Sequence, residues 1–204
     1  MTPQELKLNY SLNNIDNILS LPSEIKSKLL LDLLEDMSCD KNSSTFREGV
    51  TLGVLGKTQS KTKLGYDSED ESIEVKPKNL NNNSNKKFDG SGNFSDFTWA
   101  RHNKYLSDDV KMIVSGFFEG KLIFVLSFNY SSLSFVKEVE RQLSNRLPNG
   151  DEVNQYVRSI KFSYLHYKDS PSFKIEFLSP SFNTYESKFT KPFFNVITNY
   201  ESDK

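Results

Sequence analysis

Residues 112–128 read MIVSGFFEGKLIFVLSF, and this stretch decides the fold class. Two β-prone apolar runs flank Glu119-Gly120, a pair suited to a hairpin turn. Neither run alternates apolar with polar residues. Such continuous strands are buried on both faces, so other layers must cover the sheet on both sides. One cover follows at 134–147, where Val136, Val139, Leu143 and Leu147 share a helical face and Pro148-Asn149-Gly150 stops the helix. A second helix is expected over 22–37, from the four-residue recurrence of Ile25, Leu29, Leu33 and Met37. Further strands are expected at 157–167, with Ile160, Phe162 and Tyr164 on one side, and at 173–178, through Phe173, Ile175 and Phe177. The sum is an α/β domain with a central mixed β-sheet flanked by helices, the fold class predicted here.

The 204 residues fit a single domain. It divides into an N-terminal helical segment, 1–43, a core, 44–178, and an irregular tail, 179–204. Within 44–55, Phe46, Val50 and Val54 keep a helical period, which Gly49, Gly53 and Gly56 weaken. A glycine-lined helix face lets another backbone come close. Residues 79–96 are rich in Asn, Ser and Gly and are expected to form a long loop, a type that is often functional.

Composition narrows the chemistry. Hydrophobic residues make up 36% and charged residues 26%, which is a globular balance. A net charge of −1 excludes a protein that coats DNA by bulk positive charge, though not a local basic cleft. Cys39 is the single cysteine and His102 and His166 are the only histidines, so any metal must be held mainly by oxygens. No apolar run approaches the ~18 residues that span a bilayer. The first residues lack the basic and apolar regions of a signal peptide, so a cytoplasmic location is expected. No G-x-x-x-x-G-K-[ST] phosphate loop occurs; GVLGK at 53–57 lacks its spacing, and no nucleotide cofactor is expected.

The chemistry sits in residues 61–78, KTKLGYDSEDESIEVKPK. Two short strands, 61–67 and 72–76, are expected around a polar turn at 68–71, with Pro77 ending the second or placing it near an edge. Side chains alternate along a strand, so Glu74 and Lys76 share a face and Val75 points into the opposite layer. A hairpin brings Asp67 beside Glu74; a shorter turn would give that role to Asp70 or Glu71. Two carboxylates clamp a divalent cation such as Mg2+, with the Val75 carbonyl as a further ligand. The cation polarises a phosphate and acidifies water, and a lysine beside it orients that water and stabilises phosphate charge. Asp89, Asp96, Asp108 and Asp109 are expected to be solvated or to cap helices.

Tyr66-Asp67, six intervening residues and Glu74-Val75-Lys76 resemble the signature of the PD-(D/E)XK nuclease superfamily, with Tyr66 where a proline is usual. The resemblance covers about residues 44–147. It implies a mixed sheet flanked by helices, a catalytic set of Asp67, Glu74 and Lys76 using Mg2+, and a further acid on the preceding helix, for which Glu48 is suitably placed. The stretch 98–104, TWARHNK, is expected as a loop following the active strand. There Trp99, Arg101, His102, Asn103 and Lys104 could contact DNA, since Arg and Asn read base edges well, or Trp99 could simply anchor in the core. Lys61 and Lys63, with Lys57, Lys86 and Lys87, are candidates to line the phosphate path.

The function expected is a type II restriction endonuclease: Mg-dependent, sequence-specific hydrolysis of double-stranded DNA, with a homodimer favoured by a palindromic site. A phage or mobile-element repair or homing nuclease would use the same chemistry. A noncatalytic DNA- or protein-binding module, its acidic segment merely solvated, is the alternative from another class.

Overall fold

A computed structural model describes residues 44–61, 65–69, 72–81, 86–151 and 155–202, together with 23, 24 and 27. The expected helix at 22–37, Cys39, Lys63, Asp70 and Glu71 lie outside the described residues or rest on too few of them.

The chain runs α1 (Ser44–Val54), β1 (Ile73–Asn79), β2 (Gly92–Phe97), α2 (Trp99–Ser107), β3 (Lys111–Phe118), β4 (Lys121–Asn129), α3 (Leu133–Arg146), β5 (Val157–Phe162), β6 (Lys174–Leu178) and α4 (Lys191–Ser202). Short 3-10 turns occupy Tyr164–His166 and Phe182–Lys188. This is an α/β fold with a mixed four-stranded sheet in the order β1-β3-β4-β6. β1 runs parallel to β3, and the other two pairings are antiparallel.

The hairpin at 112–128 is present. Glu119 and Gly120 both have positive φ, 48° and 72°, which matches the right-handed twist of the flanking strands. Both strands are buried on both faces along most of their length. On one face, Ile73, Val75, Ile113 and Val125 pack with Leu52 of α1. The other face, with Met112, Val114, Phe124, Leu126 and Phe128, meets a larger core built from β2, β5 and helices α2, α3 and α4. The Thr51 and Ser115 hydroxyls bond at 2.8 Å and pin α1 to β3.

Three expectations need correction. Among the described residues, 61–67 and 72–76 are not paired as a hairpin. Among the described residues the segment before β1 holds one isolated bridge, Gln59 with Ser68, and the ladder partner of β1 is β3. Residues 79–96 are not all loop: β2 pairs with β5, burying Phe94 and Phe97 completely. Gly92 makes this possible, because a Cβ there would lie 2.3 Å from the ring of Phe162, its cross-strand partner. The tail from Ser179 is not irregular. It carries a 3-10 turn and α4, and Phe182, Phe189, Phe193 and Ile197 are buried in the main core. Pro192 lies in the first turn of α4, where a missing N–H costs no helical bond.

At the glycine-lined face of α1, the close neighbour is a side chain. Gln59 donates to the Thr45 carbonyl at 2.8 Å, and a Cβ on Gly49 would sit 2.5 Å from its Oε1. Among the described residues no helix is long and apolar enough to cross a membrane.

Candidate active site

β1 is an edge strand, and its main chain sets the geometry. The Lys111 N–H donates to the Ser72 carbonyl and the Leu80 N–H to the Phe117 carbonyl, so even-numbered residues turn their peptide groups toward β3. Odd-numbered residues therefore turn theirs toward the outer edge. Pro77 falls on that outward register, where no ladder donor is required. Asp67 occupies the same edge. Its N–H donates to the Ile73 carbonyl at 2.9 Å, and its Oδ2 accepts the Val75 N–H at 2.7 Å. The Val75 carbonyl thus faces the side on which Asp67 lies. Val75 itself packs in the layer beneath α1, as alternation requires.

Glu74 and Lys76 point to the other face, toward α2. Glu74 is only 4% exposed and has three partners. Its Oε1 accepts from the Lys76 ammonium at 2.5 Å and from the Arg101 guanidinium at 3.3 Å. Its Oε2 accepts from the Tyr105 hydroxyl at 2.6 Å. Arg101 also donates to that hydroxyl from Nε at 3.0 Å and Nη2 at 2.6 Å, and lies over the rings of Phe97 and Tyr105. Lys76 lies 5.1 Å over the Phe94 ring. A buried carboxylate is tolerable only with such compensation. Burial, then the Glu74 charge, pushes the Tyr105 hydroxyl upward, so it stays a donor.

Two further acids are coupled to this group. Burial pushes Asp67 up to about 6, helped by the Glu74 charge and opposed by the Val75 N–H. Burial pushes Glu48 up to about 7, and the charges of Asp67 and Glu74 add to the effect. A carboxyl raised by folding destabilises the folded state as it ionises. The penalty is absent below its unfolded value of 4.5, grows as pH rises, and is complete above about 7. Glu48→Gln is therefore expected to stabilise the metal-free protein at pH 8 by on the order of 1–2 kcal/mol, discounted for partial exposure. The gain should vanish near pH 4. Urea melts in EDTA at both pH values check this, and an equal gain at both would show that Glu48 ionises freely.

The structure bonds Asp67 to the Val75 N–H at the edge of β1 and Lys76 to Glu74 on the face toward α2. Glu48 is linked to them through charge alone, from the α1 side. The structure does not present all of 98–104 to a ligand. This stretch is the start of α2 rather than a loop. Thr98 caps it, accepting from the Arg101 N–H, and Asp151 accepts from the N–H groups of Trp99 and Ala100. Arg101, half-buried, pairs with Glu74. His102 is 1% exposed, with Nδ1 2.8 Å from the Tyr130 hydroxyl and Nε2 3.5 Å from Glu140, so it is a core residue. Trp99 is half-buried and donates its indole N–H to the Leu147 carbonyl at 3.0 Å. Asn103, Lys104 and Lys61 are exposed. Lys104 bonds to Asp108 at 2.9 Å and to the Tyr66 hydroxyl at 3.1 Å, and Tyr66 also donates to Asp108. Tyr66 is thereby tied to α2, next to Asp67. Asp109 accepts from Asn129 and Ser131.

Sequence reasoning missed Tyr105 altogether, and with it the pairing of Arg101 with Glu74 and Tyr105. The Arg101-x-x-x-Tyr105 spacing, which puts both on one helix face, was the available signal.

Among the described residues no group of three or more His, Cys, Asp or Glu side chains is arranged to hold a metal ion. Magnesium needs less, since it is usually held by one or two carboxylates with water and substrate phosphate supplying the rest. The donors here are hard oxygens, and Glu48 and Asp67 are raised first by burial and then by neighbouring carboxylates. The residues present fit Mg2+ in that limited sense. Compared with known proteins, the chain matches no family model and no curated protein.

Proposed function

We propose that the protein is a Mg-dependent endodeoxyribonuclease with a restriction-endonuclease-like core, acting as a type II restriction enzyme on double-stranded DNA. What supports this reading is that β1 carries Asp67, bonded at its edge to the Val75 N–H, and the Glu74–Lys76 pair one residue either side, with Glu48 electrostatically coupled to them. Asp67, Glu74 and the Val75 carbonyl would hold the ion. When bound, the ion supplies charge stabilisation for the phosphate and acidifies water.

The protein's own groups do the rest. The Val75 N–H orients Asp67, and Tyr105 and Arg101 orient Glu74. The Lys76 ammonium donates toward the phosphate oxygens as charge builds there. Glu48, placed near neutrality, suits proton acceptance at its carboxylate. A two-fold homodimer would match a palindromic site.

The test is incubation of the purified protein with plasmids of varied sequence, with magnesium and then with EDTA. Cutting should require magnesium, and Asp67→Asn should lower its rate by about 100-fold or more. No metal-dependent cutting on any sequence would sink the proposal and leave a binding module.

A further inference from the structure

An open groove of about 890 Å³ lies beyond the C-terminal end of β1, walled by the 86–91 segment, α3 and β5. Seven Lys or Arg residues line it against two acids, Asp89 and Glu138, in a chain whose overall charge is −1. One of those acids is already neutralised: Arg141 binds Glu138 with two bonds of 2.8 Å. Among the described residues, no carboxylate pairs with Lys78, Lys86, Lys87 or Lys161. Positive charge is thus concentrated on one concavity, against self-repulsion.

The walls are built. Gln142, 8% exposed, clips the Lys161 backbone by donating to its carbonyl at 2.6 Å and accepting its N–H at 3.0 Å. Arg146 donates to the Ser159 carbonyl at 2.6 Å. The opposite wall is anchored where the Phe88 N–H donates to the Lys188 carbonyl at 2.8 Å. Lys78 connects the groove to the candidate active site, because it follows Lys76 by two residues and shares its face of β1.

We propose that this groove binds the phosphodiester backbone of duplex DNA and carries it past Lys76. The proposal rests on the nuclease reading for the identity of the polyanion. An open channel continuous with a phosphate-cleaving site suits a strand that enters and leaves, rather than an enclosed small anion.

The test measures binding of the full-length protein to a labelled duplex by fluorescence anisotropy in EDTA, where no cutting occurs. Lys86→Gln, Lys87→Gln and Lys161→Gln are combined; all three side chains are exposed, so folding should be unaffected. Binding should weaken about 10–100-fold near 0.1 M salt, and the slope of log affinity against log salt should fall by about 2–3. A control variant, Lys121→Gln with Lys137→Gln, alters exposed lysines outside the groove and should bind as the parent does. Unchanged binding in the triple variant overturns the proposal, as does equal weakening in the control. Inorganic phosphate or a mononucleotide binding as tightly as the duplex would overturn it in favour of a small-anion site. Groove-dependent binding without any magnesium-dependent cutting would remove the nuclease reading and leave the groove standing. Cutting with groove-independent binding would do the reverse.

Discussion

Glu74→Ala is expected to abolish magnesium-dependent cleavage, by about 1,000-fold or more, and to cost about 2–4 kcal/mol of stability. Both effects come from one carboxylate. In the proposed mechanism it helps hold the ion beside Lys76, the group proposed to meet the phosphate. On the structural side it compensates two cations and a buried hydroxyl at once. Breaking a fully buried pair costs about 3–5 kcal/mol. The side chains of Lys76 and Arg101 are 20% and 35% exposed, so both can recover some hydration, and the expected cost is lower. A domain with a typical ~5–15 kcal/mol of stability survives that loss, so the activity measurement is made on folded protein. Glu74→Gln separates the two roles. It keeps an oxygen for the Tyr105 hydroxyl and should be less destabilising, yet remain inactive. Urea melts and plasmid cleavage on both variants check this. A Glu74→Ala protein as stable as the parent would mean that the Lys76–Glu74–Arg101–Tyr105 group does not form. A folded variant that still cuts would remove Glu74 from the chemistry.

The parts of this site legible in the sequence were those governed by period. Alternation along a strand places Glu74 and Lys76 on one face and Val75 on the other, whatever the strand pairs with. The hairpin at 112–128 was equally plain, since its two runs have one chemically reasonable partner each and a turn between them. The neighbour of β1 was not legible. Residues 61–67 are polar and strand-length, and they looked like a local partner. The ladder instead forms with β3, more than thirty residues on, because Ile113 and Val114 offer apolar surface on both faces. Asp67 still reaches β1, through one main-chain and one side-chain bond, and neither leaves a periodic trace in sequence. The role of Arg101 was hidden for a related reason. α2 is short and buries only His102 and Tyr105, so no apolar stripe announces a helix.

Phe193→Ala is expected to cost about 3–5 kcal/mol, from lost burial and the cavity left behind. Phe193 is completely buried, with ring centres 5.6 Å from Phe88, 5.9 Å from Phe124 and 5.8 Å from Phe189. With Tyr164, 5.8 Å away, its neighbours belong to four separated parts of the chain, so no single local shift can close the hole. Gly90 marks how tightly this region is packed: it has φ +69°, and a Cβ there would lie 2.6 Å from the Phe193 ring and from the Tyr167 hydroxyl. The tail looked unpatterned because its buried residues are spread over a 3-10 turn, the residue that ends it and an α-helix, so no single period runs through Phe182, Phe189, Phe193 and Ile197. Asn195→Ala, at an exposed position of the same helix, should stay within about 0.5 kcal/mol of the parent. Urea melts of the two variants decide the point. A cost below about 1 kcal/mol for Phe193→Ala would mean that α4 is not docked against the sheet. The 86–91 wall of the basic groove depends on that docking, because Phe88 is held between the Lys188 carbonyl and the Phe193 ring. Phe193→Ala should therefore also weaken duplex binding, although the residue itself makes no contact with DNA.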